Sequence, residues 1–198
     1  MKRFRLLTLL LGAGLVLAII DASASAGRLS VRGPRLKAQF TRLDISGGFG
    51  TVECSVTLES SLHGRTISKT PGSLIGYVHV ARAGPCSRGG ATVLEETLPW
   101  HLQYESFGGT LPIIHRETKR ITGFAMRVRE PTFGTLCLFR STAAQPVLST
   151  YNVETSVVIS AELSGTISSP CGLEATVSGT TTNVTEEEFR PRITITLI

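Results

Sequence analysis

Three carboxylates sit near two large aromatic rings in one stretch of the chain. Glu95, Glu96 and Glu105 flank Trp100 and Tyr104. A glycoside hydrolase needs such a set: two carboxyl groups roughly 5–10 Å apart beside a ring on which a sugar can stack. On a strand, successive side chains point to opposite faces, so Glu95 and Glu96 diverge. Glu95 and Glu105 lie too far apart along an extended chain unless it folds back. Trp100 and Tyr104 share a period-two face with Leu94, Leu98 and Leu102, the pattern of core residues. An extracellular hydrolase acting on polysaccharide or peptidoglycan is therefore the alternative reading.

Other chemistries lack their parts. Asp44 is the single aspartate beyond residue 26, which excludes a calcium loop built on several closely spaced oxygen ligands. No Gly-x-Ser-x-Gly turn is present to hold a serine nucleophile. His63, His79, His101 and His115 form neither H-x-H nor H-x-x-x-H, so no metal-ligating pair is visible. No catalytic residue, cofactor or metal is expected.

Four cysteines remain: Cys54, Cys86, Cys137 and Cys171. None belongs to a C-x-x-C pair, so zinc ribbons and thioredoxin-like redox sites are unsupported. In an exported chain, an even count at wide spacing points to two disulfides.

The elements that must position these residues read as strands. Val52, Cys54, Val56 and Leu58 alternate with polar neighbours, as do Phe124, Met126 and Val128, and Ile193, Ile195 and Leu197. Ala91 to Tyr104 is the longest such run, and Pro99 interrupts its ladder. Leu74–Ala81, Ile121–Arg129, Thr135–Arg140, Asn152–Leu163, Leu173–Thr181 and Arg192–Ile198 complete the set. Gly-Thr steps at residues 50, 109, 134, 165 and 179 read as a turn followed by extension. No segment beyond residue 26 carries a sustained helical stripe. The expected fold is an all-β, single-domain antiparallel sandwich or barrel. Glu186-Glu187-Glu188 reads as a charged turn before the last strand. Asn183-Val184-Thr185 is a glycosylation sequon.

A hairpin argument chooses the cysteine partners. If Ala91–Tyr104 and Ile121–Arg129 pair, Cys86 and Cys137 meet at the hairpin's open end, leaving Cys54 for Cys171. Cys54–Cys86 with Cys137–Cys171 is the next pattern.

The first 26 residues set the compartment. Lys2, Arg3 and Arg5 precede an uncharged run from Leu6 to Ile20, then Asp21 and a small-residue stretch ending Ala24-Ser25-Ala26. This is a secretory signal peptide, with cleavage expected between Ala26 and Gly27. Its apolar run falls short of the ~20 residues that span a bilayer. No stable membrane insertion is expected after cleavage. Of the 20 Lys plus Arg, three lie in the leader, leaving 17; of the 15 acids one does, leaving 14, for a net of +3. That is too weak to argue nucleic-acid binding. Residues 27–42 hold Arg28, Arg32, Arg35, Lys37 and Arg42 around Gly33-Pro34 and read as a flexible basic arm. Residues 43–198 are the expected β domain.

Residues 96–112 (Glu96-Thr97-Leu98-Pro99-Trp100 through Gly109-Thr110-Leu111-Pro112), residues 50–59 and the ending Ile193–Ile198 resemble a group of exported, uncharacterised proteins common in actinobacterial genomes. The resemblance covers most of the chain after the leader. It implies an exported β protein and carries over no catalytic residues. The expected role is a non-enzymatic surface or extracellular module with a cell-envelope polymer or protein as partner. A carrier of a small apolar ligand is a second alternative.

Overall fold

The computed structural model describes residues 28–110, 113–129, 131–132, 134–169, 173–186 and 195–197. The strands follow in chain order. The first five are β1 Leu29–Val31, β2 Arg35–Gly47, β3 Gly50–Leu62, β4 Thr66–Ile67 and β5 Leu74–Arg88. Then come β6 Gly90–Val93, β7 Trp100–Gly108, β8 Arg116–Thr122, β9 Ala125–Arg129 and β10 Leu136–Arg140. The last are β11 Val147–Glu154, β12 Val157–Ser168, β13 Glu174–Thr181, β14 Val184–Glu186 and β15 Ile195–Leu197. A 3₁₀ turn, Glu95–Thr97, is the one helical element among the described residues.

Period two explains these strands. Every second residue of β3 from Val52 to Leu62 is buried, and β11 buries Val147, Ser149, Tyr151 and Val153. Burying one Val or Leu side chain contributes about 1.5–3 kcal/mol. A one-residue slip would turn the whole set to water, so register is strongly specified.

One antiparallel path links eight strands. β2 pairs with β3, β3 with β5, β5 with β7, β7 with β8, and β8 with β11. β11 then pairs with β12, β12 with β13, and β13 with β2, where the path began. β6, β9 and β10 extend the same sheet, with β10 meeting β12 at Arg140 and Ser168. The chain runs from β6 into β7, from β8 into β9 and from β10 into β11. Each of these lines is a strand broken in its middle. The expected strands Ala91–Tyr104 and Ile121–Arg129 are two of them, and Pro99 falls in the first break. There Leu94 N–H donates to Ala125 O, and the Trp100 indole N–H donates to Thr97 Oγ1 at 2.8 Å.

A second sheet, ordered β15–β1–β4, covers one end of this path. Leu29, Val31, Ile67 and Ile195 are buried and join the same core cluster as the large sheet. Ile195 N–H donates to Ser156 O in the β11–β12 turn, where Thr155 and Ser156 both have positive φ.

Three expectations are corrected. First, the stretch expected as a flexible basic arm is built into both sheets from Leu29 onward. Leu29, Val31, Leu36, Ala38 and Phe40 are buried, and Lys37 pairs with Glu59 at 3.0 Å. Apolar residues at period two offset the entropy of ordering the intervening basic ones. Second, Cys54 bonds to Cys86, replacing both Cys86–Cys137 and Cys54–Cys171. The hairpin exists, since β7 pairs with β8 and β6 with β9. The error lies before it: β5 runs on to Arg88, so Cys86 sits in a strand directly opposite Cys54, with their Cα atoms 3.9 Å apart. Cys137 is buried in β10, and Cys171 lies outside the described residues. Third, Gly165-Thr166 and Gly179-Thr180 are not turns but lie inside β12 and β13. A Cβ on Gly179 would come within 2.9 Å of Arg42 O, so glycine there permits close approach of β13 to β2. Gly50, with φ 99°, does serve as a turn residue between β2 and β3.

Candidate functional site

Two groups of charged side chains stand out, one sealed inside and one open. The inner group grows from β8. Its Glu117, Lys119 and Ile121 are spaced two apart, which puts them on one face. Glu117 is 0% and Lys119 1% exposed, and Lys119 Nζ donates to Glu117 Oε2 at 2.6 Å. Strand register brings Tyr104 and Ser149 beside Lys119, and Tyr151 beside Glu117. Lys119 Nζ lies 4.0 Å from the centre of the Tyr151 ring, a cation–π contact. Burial, and then the charge of Glu117, push the Tyr104 phenol up to about 12. Tyr104 therefore stays protonated across the physiological range. Glu117 Oε1 is buried and has no hydrogen-bond partner among the described residues.

Sequence reading missed this group because Glu117 and Lys119 fall between the expected strands Ala91–Tyr104 and Ile121–Arg129. The available signal was opposite charges two residues apart, in phase with an apolar Ile121.

The outer group lies over the disulfide. Register shifts occur in β2 between Phe40 and Leu43, and in β3 on both sides of Cys54. Such bulges re-aim side chains and bend the strand. Here they open a groove of about 440 Å³ whose lining includes Arg42, Glu53, Ser55, Cys86 and Ser87. Arg42 Nε donates to Asp44 Oδ1 at 2.8 Å and its Nη2 to Glu53 Oε1 at 3.1 Å. Ser87 Oγ donates to Glu53 Oε2 at 2.8 Å. The hydrogen bond and charge of Asp44, with the charge of Glu53, raise the Arg42 guanidinium above its ordinary value.

The carboxylates singled out in the sequence are not assembled around an open ring. Glu95 and Glu96 are exposed in the 3₁₀ turn, and Glu105 pairs with Arg120. Trp100 and Tyr104 are core residues, 1% and 2% exposed, with Trp100 packed on Phe124 at 4.8 Å between ring centres. His63, Tyr77 and His101 stack along the surface at 5.2 and 5.6 Å, and His115 stands at the start of β8. No cluster of three metal-ligating side chains occurs among the described residues. No helix among them is long and apolar enough to cross a membrane. The sequon residue Asn183 donates its side-chain amide to Gln39. Ala26, Gly27 and the rest of the leader lie outside the described residues, as do Glu187 and Glu188.

Comparison with protein-family models, curated proteins and solved structures finds no match.

Proposed function

We propose that this chain is an exported, non-enzymatic binding module, an antiparallel barrel filled by its own side chains that holds a cell-envelope polymer in the groove above Cys54–Cys86. The observation that carries this reading is the contrast in access between the two charged groups. The interior is occupied by Trp100, Phe124, Met126, Phe139, Ile121 and Lys119, each 1% exposed or less. The closed order of strand pairing supports a barrel, and one of eight strands is just wide enough for side chains to fill it. A filled interior disfavours a carrier of small apolar ligands. The Glu117 carboxylate is held against Lys119 where no substrate reaches it. In the groove, by contrast, Arg42, Glu53 and Ser87 present hydrogen-bonding groups to solvent on a rigid, disulfide-tied floor. Extracytoplasmic work accords with that disulfide and with the signal-peptide pattern of residues 1–26.

Incubating the secreted protein with insoluble cell-wall polymer, then measuring pelleted protein and released sugar, tests this. Binding without release is the expected result. Arg42→Ala combined with Glu53→Gln should weaken binding about tenfold, the loss of one charge-assisted hydrogen bond. Release of reducing sugar or peptide fragments by the wild type would replace the binding module with the hydrolase.

A further inference from the structure

We infer that the end of the molecule opposite the β15–β1–β4 sheet docks on an anionic phospholipid surface. This goes beyond the groove and uses a different set of residues. The strand ends on either side of the β2–β3, β5–β6, β9–β10 and β12–β13 connections lie there, as the pairs Gly47↔Gly50, Gly47↔Ala175 and Gly90↔Arg129 show.

Two of the five exposed large apolar residues among the described residues stand at this end: Leu136, 47% exposed, and Leu173, 36% exposed. Phe49, at the tip of the β2–β3 turn, packs on Phe139 with ring centres 5.6 Å apart. Phe49 and Leu173 line one small apolar recess with Thr135 and Cys137, so residues from three separate connections meet.

Exposed arginines border these tips. Arg129 lies directly opposite Leu136, and Arg127 opposite Leu138, on the outer face of β9 and β10. Arg140 follows on the same face of β10. None of the three pairs with a carboxylate among the described residues; Arg129 Nη1 donates to Gly134 O at 3.3 Å.

Arginine alone would serve any polyanion. Exposed leucines interleaved with arginines, beside an apolar turn tip, favour a bilayer. There the apolar tips enter the headgroup boundary while the guanidinium groups meet phosphate. A soluble phosphate polymer offers nothing to Leu136 or Leu173. The contact is peripheral, since among the described residues each turn presents one or two apolar side chains.

Co-sedimentation of the secreted protein with vesicles tests the inference, using phosphatidylcholine alone and phosphatidylcholine mixed equally with phosphatidylglycerol. The wild type should pellet with the mixed vesicles and stay in solution with the neutral ones. Each of Arg127→Gln and Arg129→Gln should weaken binding about fivefold, and added salt should weaken it further. Leu136→Ser with Leu173→Ser should weaken binding as well, while Ile113→Ser, at the opposite end, should leave it unchanged. These side chains are exposed, and an unchanged melting curve confirms that each variant is folded. Equal pelleting with both vesicle types overturns the inference, as does no pelleting. If the leucine variant binds like wild type and soluble polyphosphate displaces the protein, the face is a polyanion site and the lipid assignment falls. The groove variant Arg42→Ala with Glu53→Gln should bind vesicles normally, so failure of one reading is distinguishable from failure of the other.

Discussion

The Glu117–Lys119 pair and the Arg42–Asp44–Glu53 cluster join the same kinds of charge at similar distances, yet they stand in opposite environments. The first is sealed by Tyr104, Tyr151 and the sheet around it; the second lies open above a disulfide. Sealing makes the inner pair costly to bury and more costly to break, because an unpaired charge would remain in a poor solvent. Water around Arg42 screens its attractions and supplies replacement hydrogen bonds. The inner pair is thus a structural commitment, and the outer cluster can exchange its partners with water.

The largest effect should come from halving the inner pair. Lys119→Met leaves Glu117 buried and uncompensated, a loss of about 3–5 kcal/mol. For a chain of this size that lowers Tm by about 10 °C or more. The double variant Glu117→Leu with Lys119→Met should recover most of the loss. A double variant no better than the single one would show that the pair adds net stability.

The disulfide under the outer cluster comes next. Cys54 and Cys86 are 32 residues apart, and closing such a loop is worth about 4 kcal/mol. Cys54→Ala with Cys86→Ala should lower the midpoint of urea unfolding accordingly. Peptide mapping under non-reducing conditions should recover the Cys54–Cys86 link; a Cys86–Cys137 peptide would refute the observed register.

Tyr104 sharpens the contrast through pH. Its phenol holds its proton up to about 12 in the folded state, against about 10 in the unfolded chain. The folded protein then binds a proton the unfolded chain has lost. Its stabilising contribution is complete below about pH 10 and disappears as pH rises towards 12. An absorbance titration of phenolate should show a late-ionising component that is lost in Tyr104→Phe. A wild-type titration with no such component beyond that of Tyr104→Phe would mean that water reaches the inner cluster.

The smallest effect belongs to Arg42→Ala. Its ion pairs are exposed and screened by water, so Tm should move by no more than a few degrees. A loss comparable to that of Lys119→Met would erase the distinction between the two regions.

How much was legible beforehand divides along one line. Strand character was readable from local pattern: Val52, Cys54, Val56 and Leu58 alternate because a strand's two faces meet different solvents, and any neighbouring strand enforces that. Trp100 and Tyr104 were readable as core for the same reason. Tertiary structure alone decided which strands meet. That made Cys86 the partner of Cys54, drew Leu29 and Val31 into a covering sheet, and returned β13 to β2. It also sealed Glu117 and Lys119 between Tyr104 and Tyr151, although charged residues in a short segment read as solvated. Period two is a property of the chain with itself, whereas burial and partnership depend on register between segments far apart in sequence. Local spacing carries no record of that register.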